Sequence, residues 1–364
     1  MWFSHSGNKD DVRQKEESEQ ILQNTAFWLS KRFDLSESRA RDWLSVEKNK
    51  VSICLPFAYL GERATLTEEW RNQVMPVEDW DLEWQVQVMS APVSLPLVGK
   101  IKNIIAVASG KGGVGKSTSS VNLAYALMAE GAQVGILDAD IYGPSIPIML
   151  GNATARPQSE DNKHMQPLRV NGVVANSIGY LIDPNEAAIW RGPVVSRALQ
   201  QLLNETLWGE LDYLIVDLPP GTGDIQLTLA QQVPLSAAVI VTTPQDLALA
   251  DAKKAVAMFN KVTVPVLGVI ENMSYYQCGE CGHKAHVFSS GGGEKLAHAH
   301  GLALLAQLPL EMEIREHADE GKPLLTSQPQ SGLTETYRRA ARALALALYR
   351  NGLSSEPIAI TVTE

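Results

Sequence analysis

The segment Gly110-Lys111-Gly112-Gly113-Val114-Gly115-Lys116-Ser117 constrains this chain more than any other stretch. It follows an apolar run over 104–108 and precedes an alanine-rich stretch of helical character that begins near Thr118. Strand, glycine-rich loop and helix in that order make a phosphate-binding loop. The glycines let backbone N–H groups turn onto a phosphate, which also sits at the positive end of the following helix. Lys116 is then expected to reach the β- and γ-phosphates, and the Ser117 hydroxyl to take a place on Mg²⁺. The nucleotide site is expected to extend from Gly110 through Thr118. Lys111 is a second lysine, at the loop's entrance.

From residue 101 onward, apolar runs alternate with helical patterns. Strands are expected at 104–108, 134–138, 213–217, 238–243 and 266–270, and helices near 118–130, 194–207, 247–261 and 333–350. Such alternation implies a mostly parallel sheet with helices on both faces. The fold class is α/β, a P-loop NTPase-like sheet preceded by a small α+β domain. The first 95 residues supply that domain: an amphipathic helix over 19–33 with Ile21, Leu22, Ala26, Leu29 and Phe33 near one face, a strand over 51–55, a short helix over 68–73 capped by Thr67, and a strand over 84–89. Cys54, in the first of those strands, is expected to be a buried small hydrophobe. Residues 90–100, with Pro92 and Pro96, form the link. The expected organisation is a domain over 1–95, an ATPase domain over 98–352 and a tail over 353–364.

Two acidic motifs fall at strand ends, where open α/β sheets place their ligands. One strand closes Leu137-Asp138-Ala139-Asp140, which puts Asp138 near the metal and leaves Asp140 to orient an attacking water. Another closes Ile215-Val216-Asp217 and continues Leu218-Pro219-Pro220-Gly221-Thr222-Gly223-Asp224. A carboxylate after four apolar strand residues holds Mg²⁺ directly or through water, and the Gly221 amide is placed to sense the γ-phosphate.

Farther on, Glu271-Asn272-Met273-Ser274 is followed by Cys278-Gly279-Glu280-Cys281, then His283 and His286. Two cysteines in one small loop are half of a four-ligand site. The histidines or a second chain must complete it, and spacing alone leaves zinc, iron–sulfur and a redox dithiol open.

Composition narrows the classes. A net charge of −10 over 364 residues speaks against a general nucleic-acid binder. No apolar run is long enough to span a membrane, and Met1-Trp2-Phe3-Ser4-His5 lacks the pattern of a signal peptide. With three cysteines, a reducing, cytoplasmic location is expected.

The loop with a lysine at its start resembles the deviant-Walker group of P-loop ATPases. In that group the signature lysine reaches the partner's nucleotide across a homodimer, so Lys111 is expected to act in trans. The set Gly-Lys-Gly-Gly-Val-Gly-Lys-Ser, Asp-Ala-Asp-Ile-Tyr-Gly-Pro-Ser, Asp-Leu-Pro-Pro-Gly-Thr-Gly-Asp and Glu-Asn-Met-Ser with Cys-x-x-Cys is similar, over about residues 98–350, to the Mrp/ApbC family of iron–sulfur cluster carriers. The resemblance implies ATP and Mg²⁺ as cofactors and slow ATP hydrolysis. It implies a [4Fe–4S] cluster held by Cys278 and Cys281 across a homodimer, and transfer to apo-proteins in concert with cluster-assembly factors. Asn272 is implied as an adenine contact. His283 and His286 are expected, as loop histidines more often are, to be solvated residues and not ligands. The N-terminal unit matches the place of a cluster-assembly-type domain in that family. Two rivals remain at this point: a ParA/MinD-like positioning ATPase, and a dimeric ATPase with a structural zinc clamp. The final helix is followed by Ser354-Ser355-Glu356-Pro357 rather than a basic amphipathic end, which weighs against the first.

Overall fold

A computed structural model describes residues 7–74, 80–181 and 192–354. The expected tail over 353–364 lies outside the described residues from 355 onward. The chain divides into two compact units, 1–88 and 89–364.

In the first unit the elements are α1 (Gly7–Phe33), α2 (Glu37–Arg41), β1 (Leu44–Glu47), β2 (Lys50–Leu55), α3 (Arg63–Gln73) and β3 (Asp81–Val86). The three strands make one sheet, with β1 antiparallel and β3 parallel to β2. The expected apolar face of α1 is buried, Leu29 and Phe33 completely. Phe33 meets Trp43, Phe57 and Tyr59 edge to face, at centroid distances of 5.8, 5.4 and 5.2 Å.

Two expectations fail here. Thr67 caps nothing, because the 3₁₀ turn Leu60–Glu62 runs directly into α3, which begins four residues earlier. The Thr67 hydroxyl instead donates to the Arg63 carbonyl, 2.7 Å away, as in a helix interior. Cys54 is half-buried. Strand alternation buries Val51, Ile53 and Leu55 and turns Cys54 to the other face, where its Sγ lies 3.8 Å from Gln87 Oε1.

The second unit opens with β4 (Lys100–Ala108), α4 (Lys116–Ala129), β5 (Val134–Asp138), α5 (Ile146–Met149), β6 (Leu168–Val170) and β7 (Val173–Ser177). It continues with α6 (Gly192–Asn204), β8 (Glu210–Asp217), α7 (Asp224–Gln232), β9 (Ala237–Thr242) and α8 (Asp246–Lys261). Then come β10 (Val266–Gln277), β11 (Lys284–Ala285), α9 (Gly292–His300), β12 (Ala303–Pro309), α10 (Met312–Asp319), α11 (Leu324–Ser327) and α12 (Gly332–Ser354). The main sheet runs β10-β9-β4-β8-β5-β7-β6. β12 pairs parallel with β10, and β11 pairs antiparallel with its last residues. Only β6 and β11 are antiparallel among the described strands of this sheet.

The central strands are buried on both faces, which is why they read as unbroken apolar runs. β4 lies between β8 and β9, so the loop leaving it opens at the centre of the sheet's carboxyl edge. β5 and β8 pair with Asp138 opposite Asp217. Register alone therefore gathers the two acidic motifs beside the glycine loop. The polar Asn103 is fully buried within β4, where its side chain holds Met89 O and Ala91 N, each at 2.9 Å, and so straps the entry segment to the sheet.

Candidate functional site

The loop between β4 and α4 is shaped by two glycines in the left-handed region, Gly113 (φ +79°) and Gly115 (φ +83°). Gly110 also has no room for a side chain, since a Cβ there would overlap the Asp251 backbone of α8. Gly115 precedes the first turn of α4, so the helix N-terminus and the loop amides face one spot. Val114 is buried and Gly112 exposed, while Ser117 and Thr118 are half-buried.

Lys116 points inward and is 6% exposed. Its Nζ lies 2.8 Å from Asp217 Oδ2 and 3.5 Å from Asp140 Oδ2. The Ser117 hydroxyl donates to the same Asp217 oxygen at 2.6 Å, and the Ser120 hydroxyl donates to Oδ1 at 2.6 Å. Asp217 is thus the hub of the site, fully buried and satisfied on both oxygens. Ser120 escaped the sequence reading. Its spacing of three and four residues from Ser117 and Lys116 puts it on the same helix face, a signal that was available.

Asp138 and Asp140 divide the work of their loop. Asp138 is fully buried and accepts from Asp140 N (3.1 Å), Ile146 N (3.2 Å) and Ser177 Oγ (2.9 Å). Its carboxylate therefore shapes residues 138–146. Asp140 is turned toward Lys116. Burial pushes both carboxyls above the usual range; Asp217 pushes the same way, and Lys116 opposes it.

Three groups expected to meet the nucleotide have partners within the chain in this structure. The Gly221 N–H donates to Ser109 O at 2.9 Å, and Gln226 Nε2 braces the same loop through Pro220 O at 2.6 Å. Lys111 Nζ donates to Gln245 Oε1 at 3.2 Å. Asn272 Nδ2 donates to Val114 O at 2.9 Å, so the side chain expected at adenine holds the phosphate loop.

The cysteines lie apart from this cluster, where β10 leaves the sheet. Cys278 N–H donates to His283 O at 3.0 Å and Gly282 N–H donates to Cys278 O at 2.9 Å, closing a tight loop. Cys278 is half-buried and Cys281 exposed. Backbone N–H groups of Cys281 and Glu280 aim at Cys278 and lower its thiol below the usual range. His283 and His286 are exposed, and the His286 ring contacts Ser274 O at 3.1 Å. Among the described residues no group of three or more His, Cys, Asp or Glu is placed to hold a metal ion. One chain thus offers two sulfurs.

Comparison with known proteins gives a consistent picture. Residues 100–345 match the family model for ParA-type NUBPL iron-transfer P-loop NTPases. The chain is 51% identical over 308 residues to an iron–sulfur cluster carrier protein of Haemophilus influenzae, covering 83% of each. It is 48% identical over 261 residues to the iron–sulfur cluster transfer protein NUBPL of mouse, covering 71% of this chain and 81% of that one. Among solved structures, a nucleotide-binding protein of Archaeoglobus fulgidus in complex with ADP is 37% identical. It matches with a TM-score of 0.56 over 65% of this chain and 92% of that one. The cell-division ATPase MinD of Pyrococcus furiosus, 23% identical with a TM-score of 0.50 over 66% of this chain and 98% of that one, shares the fold.

Proposed function

The chain belongs to the NUBPL iron-transfer family of P-loop NTPases, and from that premise we propose that it is a homodimeric, ATP-hydrolysing carrier that takes up a [4Fe–4S] cluster and delivers it to apo-proteins. The observation that carries the reading is one chain holding both a Lys116–Asp217–Asp140 cluster at the sheet's carboxyl edge and an accessible Cys278–Cys281 pair at the end of β10. Two sulfurs per chain are half a cluster's usual ligand set, so two chains complete it.

The residues divide the nucleotide chemistry among themselves. Loop amides and the α4 N-terminus cradle the phosphates, while Lys116 transfers its Nζ from Asp217 to the β- and γ-phosphate oxygens. The Ser117 and Asp217 oxygens, already in contact, are hard donors of the kind Mg²⁺ takes, and they would hold that ion. Bound there, the ion would offset the negative charge of the phosphates. Asp140 orients the attacking water, and Gly221 turns its N–H from Ser109 O to the γ-phosphate. Lys111, released from Gln245, supplies a cation to the partner's phosphates. The cluster is cargo, exposed at the chain's surface and shared between subunits, which suits it to transfer.

Anaerobic reconstitution followed by metal analysis and visible absorption tests the proposal. Iron and sulfide near four of each per dimer, with absorption lost in Cys278→Ala and Cys281→Ala while nucleotide binding persists, is the expected result. Zinc with no visible absorption would sink it.

A further inference from the structure

β10 touches both functional regions, and what lies between them is unusual. The strand pairs with β12 at Glu271 opposite Gln307, loses register, and resumes with Tyr275 opposite Pro309. Four steps on β10 thus span two on β12, a bulge over 272–274. Met273 sits within it at φ +54°, a left-handed conformation that a side chain adopts only when its surroundings enforce it.

The Met273 N–H donates to Asn272 Oδ1 at 3.0 Å, and the bulge is flanked by Glu271, a fully buried carboxylate that the nucleotide chemistry does not use. It accepts from the Ser274 hydroxyl at 2.6 Å, from Gln307 Nε2 at 3.1 Å, and from the Gly293 N–H in the first turn of α9. Gly293 has no room for a Cβ against that carboxylate. One side chain thereby ties both ends of the bulge to β12 and to a helix N-terminus, where negative charge is favoured.

The bulge in turn has two outputs. Asn272, its first residue, holds Val114 O of the phosphate loop and packs on Gly115. Ser274, its last, offers its carbonyl to His286, and because a carbonyl only accepts, the imidazole Nδ1–H is the donor. His286 follows β11, whose Lys284 and Ala285 pair with Gln277 and Tyr276. Lys284 Nζ also lies 4.5 Å from the Tyr275 ring. Cys278 and Cys281 lie within the turn that this pairing closes.

We propose that Glu271 is a positioning residue that makes the 272–274 bulge the link between the phosphate loop and the cysteine loop, so that nucleotide binding changes the accessibility of the Cys278 and Cys281 thiols. When Asn272 leaves Val114 O to meet a bound nucleotide, the peptides around Met273 move with it. Ser274 O then moves against His286, and the closure of the 278–283 turn changes. The inference rests on the nucleotide and cysteine sites proposed above, but its test needs no cluster.

The full-length, reduced, cluster-free protein is alkylated with iodoacetamide, with and without saturating Mg²⁺ and a slowly hydrolysed ATP analogue. Rates at each cysteine are read by peptide mass spectrometry, and analogue binding is measured separately. In the wild type the analogue is expected to change the Cys278 and Cys281 rates by about fivefold or more, the low end of ordinary coupling between sites. Cys54, in the other unit, serves as the internal control and should stay constant. In Glu271→Gln, an amide meets donors on every side, and the ratio is expected to fall toward one while the analogue still binds. His286→Ala, an exposed change outside the core, should also lower the ratio and decides the matter if Glu271→Gln does not fold. A wild-type ratio of one with analogue bound overturns the proposal, as does an unchanged ratio in folded Glu271→Gln or, failing that variant, in His286→Ala. A protein that shows the wild-type ratio yet takes up no cluster would overturn the carrier reading and leave this link standing.

Discussion

Replacing Gly115 by Ala separates two penalties that the structure places at one residue. The first is conformational: at φ +83° an L side chain strains the backbone by about 1–2 kcal/mol. The second is steric, because the new Cβ overlaps Asn272 Nδ2 and displaces it from Val114 O. Losing that buried hydrogen bond adds about 1 kcal/mol, more if either partner stays unpaired. Gly113 is the control. It has nearly the same φ, +79°, and open space where the Cβ would go, so Gly113→Ala carries the strain alone. In the nucleotide-free protein Gly115→Ala is therefore expected to cost about 2–3 kcal/mol and Gly113→Ala about 1–2. In an Asn272→Ala background the Gly115→Ala cost should fall to that of Gly113→Ala, a coupling of about 1 kcal/mol. Hydrogen exchange of peptides from β4 and α4 along a urea series reads the second unit separately from the first. Equal costs for Gly115→Ala in both backgrounds would refute the claim that Asn272 bears on the loop.

Lys116→Ala leaves Asp217 and Asp140 without their cation; it is expected to abolish ATP hydrolysis and to destabilise the second unit by about 3 kcal/mol at neutral pH. Isothermal unfolding at pH 7 measures that cost, and stability equal to the wild type would show that the buried pair contributes nothing. Because burial holds the Asp138 and Asp140 carboxyls above their unfolded values, the folded state binds more protons than the unfolded one. Their contribution to stability is full below the ordinary carboxylate range and is lost as pH rises through the raised values. Asp138→Asn should flatten that part of the stability profile, and an unchanged slope would show that Asp138 contributes nothing to it. Lys111→Ala should leave nucleotide binding intact while hydrolysis falls, and Gln245→Glu, which offers Lys111 a charged partner within its own chain, should lower hydrolysis at unchanged affinity; rates like the wild type in both would remove Lys111 from the chemistry.

The sequence displayed the centre of the site because its logic is local. The glycine loop, the carboxylates at strand ends and the Cys-x-x-Cys turn each occupy a few consecutive residues, and parallel pairing with Asp138 opposite Asp217 brings the acidic motifs together. What the pattern hid depends on distant partners. β7 is not among the expected strands; it carries the polar Asn176 and Ser177, both fully buried because Thr206 and Asp138 bond to them. β10 reads as ending at 270 because Glu271, Asn272 and Ser274 follow; it runs to Gln277 because each of those side chains finds a buried partner. The partners of Lys111 and Asn272 lie 134 and 158 residues away, beyond any local pattern. Thr67 and Cys54 failed for the opposite reason, since a plausible local signal was overridden by a helix that began one turn earlier and by strand alternation.

The arrangement of internal partners bears on how nucleotide can act. Lys116, the Gly221 N–H, Lys111 and Asn272 each donate to an oxygen of the chain itself. A phosphate or a base that takes over these donors exchanges one hydrogen bond for another, so the net gain at each is a difference and not a full bond energy. Each exchange also frees a group elsewhere: Asp217 from Lys116, Ser109 O from Gly221, Gln245 from Lys111, and Val114 O from Asn272. Affinity is thereby traded for rearrangement. The four released groups lie on four different segments: β8, the end of β4, the lead into α8, and the phosphate loop. Of these four donors only Asn272 lies on a strand that continues to the cysteines, which is why the link proposed above runs through that residue and the bulge behind it and not through Lys116.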